Sequence, residues 1–275
     1  MMQKIQIAKR FLSFFWRAKT KYMVHSPFVY DLLEIILDDD RNYYTFEEVE
    51  GIREQMLQNR NSIHVTDFGA GSKTTSRNER SIRSIAKSAL SPPWQCKILF
   101  RIILHLKPKN LLELGTSLGI STLYQSGVSN QVRITTLEGC PEISKIAQHN
   151  FNSLKRKNID LRTGPFSETL PKALADIKQL DYVFIDGHHT ESATLEYFQM
   201  VLAFLHENSI LIFDDIHWSV EMENAWRQIK AHPKVKLTMD FFFFGIVFFR
   251  KENKHKEHFS LVPAKWKFWQ MGFRA

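Results

Sequence analysis

From Asn110 onward, short β-rich runs alternate with helical stretches, and this alternation most limits how the chain can fold. Runs at 110–115, 132–137, 158–163, 180–185 and 209–214 read as strands. Helical patterns lie between them, near 118–127, 141–154, 168–178 and 191–206. Such alternation implies a parallel sheet covered by helices on both faces. After a helix expected at 219–231 the order changes. Val235–Met239 and Gly245–Arg250 are strand-like and separated by a short turn region. They must pair antiparallel, since a parallel crossover needs about a dozen residues or more. The expected fold class is therefore α/β, with five parallel strands and an antiparallel terminal hairpin.

Upstream of residue 108 the chain is helical and basic. Ile5, Ala8, Leu12 and Phe15 fall at helical spacing within 3–17. Ser26-Pro27 supplies a capping hydroxyl and a first-turn proline, starting a helix that runs to about Leu37 and stops at Asp38-Asp39-Asp40. Further helices are expected at 46–59, 79–89 and 94–106. Three regions follow: a helical N-terminal extension at 1–107, the α/β domain at 108–252, and a basic aromatic C-terminal tail at 253–275.

Composition narrows the partners. The 275 residues are 44% apolar, enough for a sizeable core, and carry a formal charge of +8. The longest apolar run, Phe241–Phe249, is too short to span a bilayer as a helix, so no transmembrane segment is expected. Ile5 to Trp16 is broken by Lys9 and Arg10 and makes no signal peptide. Cys96 and Cys140 form no paired motif, which fits a reducing cytoplasm. The basic balance leaves nucleic acid, an anionic membrane surface or an anionic substrate open, beside simple solubility. Against nucleic acid, the cations are dispersed and no recognition module is visible. Phe11, Phe14, Phe15 and Trp16 sit among Lys and Arg, and Lys265–Trp269 repeats that mix. Such ends either pack their apolar stripe on the protein's own core, the commoner outcome, or make peripheral contact with an anionic membrane.

The chemistry should lie beyond the carboxyl ends of the strands. The first strand ends in Leu112-Glu113-Leu114-Gly115-Thr116-Ser117-Leu118-Gly119. Two glycines there let the backbone turn sharply and approach a ligand. Glu138 ends the second strand, before Gly139, where a carboxylate can accept from both hydroxyls of a ribose. The spacing differs from the G-x-G-x-x-G of dinucleotide sites, and Glu113 would repel a diphosphate. An acid there suits a cofactor that carries positive charge. Val65-Thr66-Asp67-Phe68-Gly69-Ala70-Gly71-Ser72 looks similar, but polar and basic residues follow it, with no second strand. It reads as a loop of the extension.

On these motifs, residues 110–250 resemble a class I S-adenosylmethionine (SAM)-dependent methyltransferase, nearest to the small catechol O-methyltransferase-like enzymes. The resemblance implies a Rossmann-like seven-stranded sheet and methyl transfer to an oxygen of a small-molecule acceptor. An RNA or DNA methyltransferase and a non-catalytic SAM-binding protein stay open as alternatives. The resemblance further implies that Glu113, Gly115, Thr116, Ser117 and Gly119 wrap the methionine part of SAM and that Ser121 holds its carboxylate. Glu138, with Gly139, would bind the ribose, and Gly164, Pro165 and Phe166 would flank adenine. Phe184-Ile185-Asp186-Gly187-His188-His189 and Ile212-Phe213-Asp214-Asp215 end the fourth and fifth strands. In metal-dependent relatives such positions bind a divalent cation, so Asp186, Asp214 and Asp215 become candidate ligands for an ion such as Mg²⁺. Asp215 stands where those relatives carry Asn. His188 falls where they place an aromatic against adenine. His189 falls where they carry the lysine base, three residues after Asp186, itself a candidate catalytic residue. A near-neutral imidazole suits proton removal.

Overall fold

The computed structural model describes residues 2–66 and 79–270. Its contacts form two compact units, Asp40–Val183 and a second one built from Met1–Asp39 with Phe184–Ala275. Helices α1 (Met2–Arg17) and α2 (Pro27–Leu37) belong to the second unit and are taken up after the first.

In the 40–183 unit, α3 (Tyr44–Gln58), α4 (Ile82–Ala89) and α5 (Pro93–Leu106) precede the strands. Pro93 opens α5, and Lys107 ends it in the left-handed conformation. Between α3 and α4, β1 (Ser62–His64) and β2 (Glu79–Ser81) pair antiparallel. The helix expected from residue 79 therefore starts later, where the Ser81 side chain accepts from Ser84 N–H at 3.2 Å.

The strands that follow are β3 (Asn110–Leu114), β4 (Arg133–Glu138), β5 (Ile159–Thr163) and β6 (Leu180–Ile185), in the order β6-β3-β4-β5. β3–β4 and β4–β5 are parallel, with Leu114 opposite Leu137 and Glu138 opposite Thr163. Helices α6 (Ile120–Ser126), α7 (Pro141–Ser153) and α8 (Phe166–Asp176) connect them. Leu118, Ile120, Leu123, Ala147 and Phe151 share one core with residues of α3 and α5. The Phe46 ring meets Phe100 edge-on and Tyr124 at a tilt there, with centroids 5.0 and 5.4 Å apart. The helices upstream of the first parallel strand are thus part of the packing behind α6.

In the other unit, α9 (Glu191–Val201) leads to β7 (Leu205–Asp214), and α10 (Val220–Ala231) to β8 (Leu237–Asp240), β9 (Phe244–Phe248) and β10 (Glu257–Ser260). Their order is β10-β8-β9-β7. β9 runs antiparallel to both β7 and β8, as the short connection required. β10 pairs parallel with β8, a strand beyond the seven expected, inside the region read as a tail. It is four residues long and has no apolar alternation, so no pattern announced it. Helix α1 packs by Phe14, with Ile7, Phe11 and Phe15 partly covered, against Phe242 and Val262. Lys19 bridges Leu261 just beyond β10.

Candidate active site

The turn after β3 is built around Glu113, whose side chain is fully buried. Ser121 Oγ and Gln125 Nε2 donate to one carboxylate oxygen at 2.7 Å each. Thr122 Oγ1 and Thr136 Oγ1 donate to the other at 2.5 and 2.7 Å. Burial pushes the Glu113 pKa up, and these four donors pull against it. The carboxylate therefore joins the end of β3 to α6 and β4. The single O–H of Ser121 is directed at Glu113. Thr116 Oγ1 lies 2.6 Å from Thr136 Oγ1, so the network continues into the turn itself.

The turn depends on unusual backbone. Gly115, Ser117 and Gly119 have φ of 103°, 49° and 84°. Only glycine takes such values without cost. Gly119 has a second constraint: a Cβ there would lie 2.4 Å from the Phe151 ring. It thus caps α6 and lets α7 approach closely.

Glu138 closes the turn from the end of β4. One carboxylate oxygen accepts from Ser117 N–H at 2.8 Å and the other from Cys140 N–H at 2.9 Å. Its pKa is raised, by burial first, with the amides of Cys140, Ser117 and Gly139 opposing. Each oxygen keeps acceptor capacity beyond its amide. Ser117 Oγ is buried without a hydrogen-bond partner. Gly164, at φ 138°, donates its N–H to Glu138 O at 2.9 Å and leads through Pro165 to the buried Phe166 at the start of α8. So Glu113, Gly115, Thr116, Ser117, Gly119, Ser121, Glu138, Gly139, Gly164, Pro165 and Phe166 lie at the carboxyl ends of β3, β4 and β5 in one unit. The loop Asp67-Phe68-Gly69-Ala70-Gly71 lies outside the described residues.

The second cluster belongs to the other unit. His189 Nε2 is 3.6 Å from Asp186 Oδ1, and its Nδ1 is 4.0 Å from Asp215 Oδ2. His188, His189 and Asp215 all have positive φ, at 64°, 25° and 54°. Backbone held in such regions gathers at functional sites. Burial raises the Asp215 pKa, and the charge of His189 opposes that. His188 Nδ1 is hydrogen-bonded to Tyr197 OH of α9, and the two rings stack. Asp214 is buried at the end of β7.

The expected metal centre gains no support from this arrangement. Among the described residues, no group of three or more His, Cys, Asp or Glu side chains is placed to hold an ion. Asp186 and Asp215 instead flank an imidazole, which a three-carboxylate cage around a hard cation would not contain. The metal role of Asp186, Asp214 and Asp215 thus rests on the resemblance alone.

Residues 112–216, which span both clusters, match the family described as a methyltransferase domain. Over that span the chain is similar to a methyltransferase domain. A catechol O-methyltransferase of Niastella koreensis is 29% identical over 127 residues, covering 45% of this chain and 57% of that protein. O-methyltransferase hkm8 of Aspergillus hancockii is 28% identical over 151 residues, covering 52% and 59%. The chain thus matches less than two thirds of the length of these curated relatives. The methyltransferase fold extends further than the sequence likeness. An O-methyltransferase from Bacillus cereus, solved in complex with SAH, superposes with a TM-score of 0.55 at 19% identity, covering 79% of this chain and 96% of its own. TomG from Streptomyces achromogenes, solved with SAM, gives 0.54 at 14% identity, covering 80% and 94%. Among the described residues, no helix is long and apolar enough to cross a membrane.

Two features escaped the sequence reading. The donors to Glu113 come from Ser121, Thr122 and Gln125, whose i, i+1, i+4 spacing puts them on one face of α6. A polar face on a wholly buried helix was the available signal. Tyr197 was not considered as a partner for His188.

Proposed function

We propose that this protein is a SAM-dependent O-methyltransferase of the cytoplasm, acting on a small molecule. One observation carries the reading. The acid that ends β4 is held by backbone amides on both sides, from Ser117 and from Cys140, with acceptor capacity left for a diol. The ribose of SAM supplies such a diol. The Gly115–Gly119 turn takes the methionine part, and the buried, unpaired Ser117 hydroxyl serves its polar end. Ser121 acts through Glu113, which keeps the turn in shape. Gly139, Gly164, Pro165 and Phe166 take the adenine side. The two cysteines, both free and buried, suit a reducing compartment.

SAM, when bound, supplies a methyl group on a sulfonium centre. The acceptor oxygen forms the new bond to that carbon as the carbon–sulfur bond breaks, and the acceptor's proton must leave. We assign that proton to His189. Asp186 and Asp215, on either side of its ring, would stabilise the imidazolium that forms. His188, stacked on Tyr197, contributes a fixed ring to the cofactor side. No step is routed through a metal.

Calorimetry tests the cofactor assignment. Glu138→Ala should weaken SAM binding by about 1–3 kcal/mol, the effect of losing a charged hydrogen-bond acceptor. A folded variant with parental affinity would remove Glu138 from the cofactor site.

A further inference from the structure

Helix α1 has two apolar faces, and the fold uses one of them. Phe14 and its neighbours turn inward, against Phe242 and Val262. On the opposite side, Ile5, Leu12 and Trp16 are spaced by seven and four residues, which aligns them along one stripe. Their exposures are 49%, 56% and 72%. Trp266 is 42% exposed and flanks the helix, 6.2 Å from the Phe11 ring. The arrangement is fixed by bonds: the Lys267 ammonium donates to Ala18 O at 2.6 Å and to Trp16 O at 3.3 Å, and Lys19 pairs with Leu261.

Cations outnumber acids around this face, where Arg10 is paired with Glu223 and Lys21 with Glu34 and Asp38. Residues 1–30 contain six Lys or Arg and no Asp or Glu. In residues 258–270 the exposed cation is Lys265, and there is no acid. Lys9 lies beside the Ile5–Leu12–Trp16 stripe, and Lys9, Arg17, Lys19 and Lys265 are all exposed. A second copy of the chain placed on this face would oppose cations to cations. An anionic bilayer complements both its charge and its tryptophans, which favour the boundary between headgroups and acyl chains.

We propose that α1, with the flanking 264–266 turn, is a docking surface for an anionic lipid bilayer, lying in its interface without crossing it. The surface belongs to the unit formed by residues 1–39 and 184–275, and the proposal stands apart from the assignment of the cofactor site.

Sedimentation of the full chain with vesicles tests it. Vesicles of phosphatidylcholine and phosphatidylglycerol mixed two to one should carry the protein down, and pure phosphatidylcholine should not. Added salt should release it. Leu12→Gln combined with Trp16→Ser should weaken binding by roughly tenfold or more, since both contribute buried apolar area. Lys9→Glu, which leaves the apolar stripe intact, should weaken it by at least about fivefold, the usual worth of one cation near such a surface. Circular dichroism checks the fold of each variant. Equal binding to both vesicle types, no binding to either, or unchanged binding by folded variants would overturn the proposal. So would concentration-dependent self-association that Trp16→Ser abolishes, because the occupant would then be a second copy.

Discussion

Two carboxylates at the ends of neighbouring strands divide the work of the cofactor turn. Glu113 is closed off by four side-chain donors and faces inward, whereas Glu138 is held by amides. Both acids were legible in the sequence, because each lies at the end of a β-rich run, within two residues of a glycine. Their different wiring was not. It depends on which α6 residues face β3, and that is settled by packing rather than by spacing from the acid. Gly119 gives the sharpest test at this scale. Alanine there would have to adopt φ 84° and would meet the Phe151 ring. Gly119→Ala should lower stability by about 2–4 kcal/mol, combining left-handed strain with overpacking. Urea unfolding measures it. A variant as stable as the parent would mean that α7 yields at no cost.

Among the elements, the β8–β9 hairpin shows how the fold anchors a turn that carries bulky aromatics. Asp240 ends β8. One of its oxygens accepts from His217 Nε2 at 3.0 Å and from Trp226 Nε1 at 3.1 Å, and the other from Phe242 N–H at 2.9 Å. His217 is bound in turn to Glu223, which pairs with Arg10 of α1. Burial works against the His217 imidazolium, yet the bonds to Asp240 and Glu223 outweigh it, so its pKa is raised. The sign follows directly. A histidine with a raised folded pKa stabilises fully below its unfolded value near 6.5, and that contribution is lost as pH rises through the folded value. Denaturant midpoints taken across that window should fall in the parent, and Asp240→Asn should flatten the fall. Asp240→Ala should cost about 3–5 kcal/mol at acid-side pH, because it leaves a largely buried imidazolium short of a partner. A flat parental profile would contradict the charge assignment. The hairpin was legible from its short connection. β10 was not, because four residues without alternation carry no period. The second apolar face of α1 was visible as residues, but only the packing of the first face shows which stripe remains outside.

At the scale of the whole molecule, the mainly parallel sheet and its antiparallel hairpin were legible because strand–helix alternation admits few topologies. The metal expectation came from matching acids to strand ends, a match that says nothing about where the side chains point. His189 occupies the space between two of those acids. Turnover on the small-molecule acceptor, once one is found, followed by release of the demethylated cofactor, should persist after exhaustive chelation. His189→Ala should lower it by about 100- to 10,000-fold with SAM affinity nearly intact. Activity lost to chelator and restored by Mg²⁺, or a wild-type rate in His189→Ala, would reverse this assignment.

The unit that contains α1 also contains everything after residue 183, and residues 40–183 intervene. During synthesis the intervening stretch can finish its core while later strands are still being made. Helix α1 cannot, because Phe242, Val262 and Lys267 do not yet exist. At about 5–20 residues per second, it waits on the order of ten seconds or more with Phe11, Phe14 and Phe15 uncovered. Made before its partners, α1 is among the last segments to be buried, and until then its aromatic face is open to chaperones.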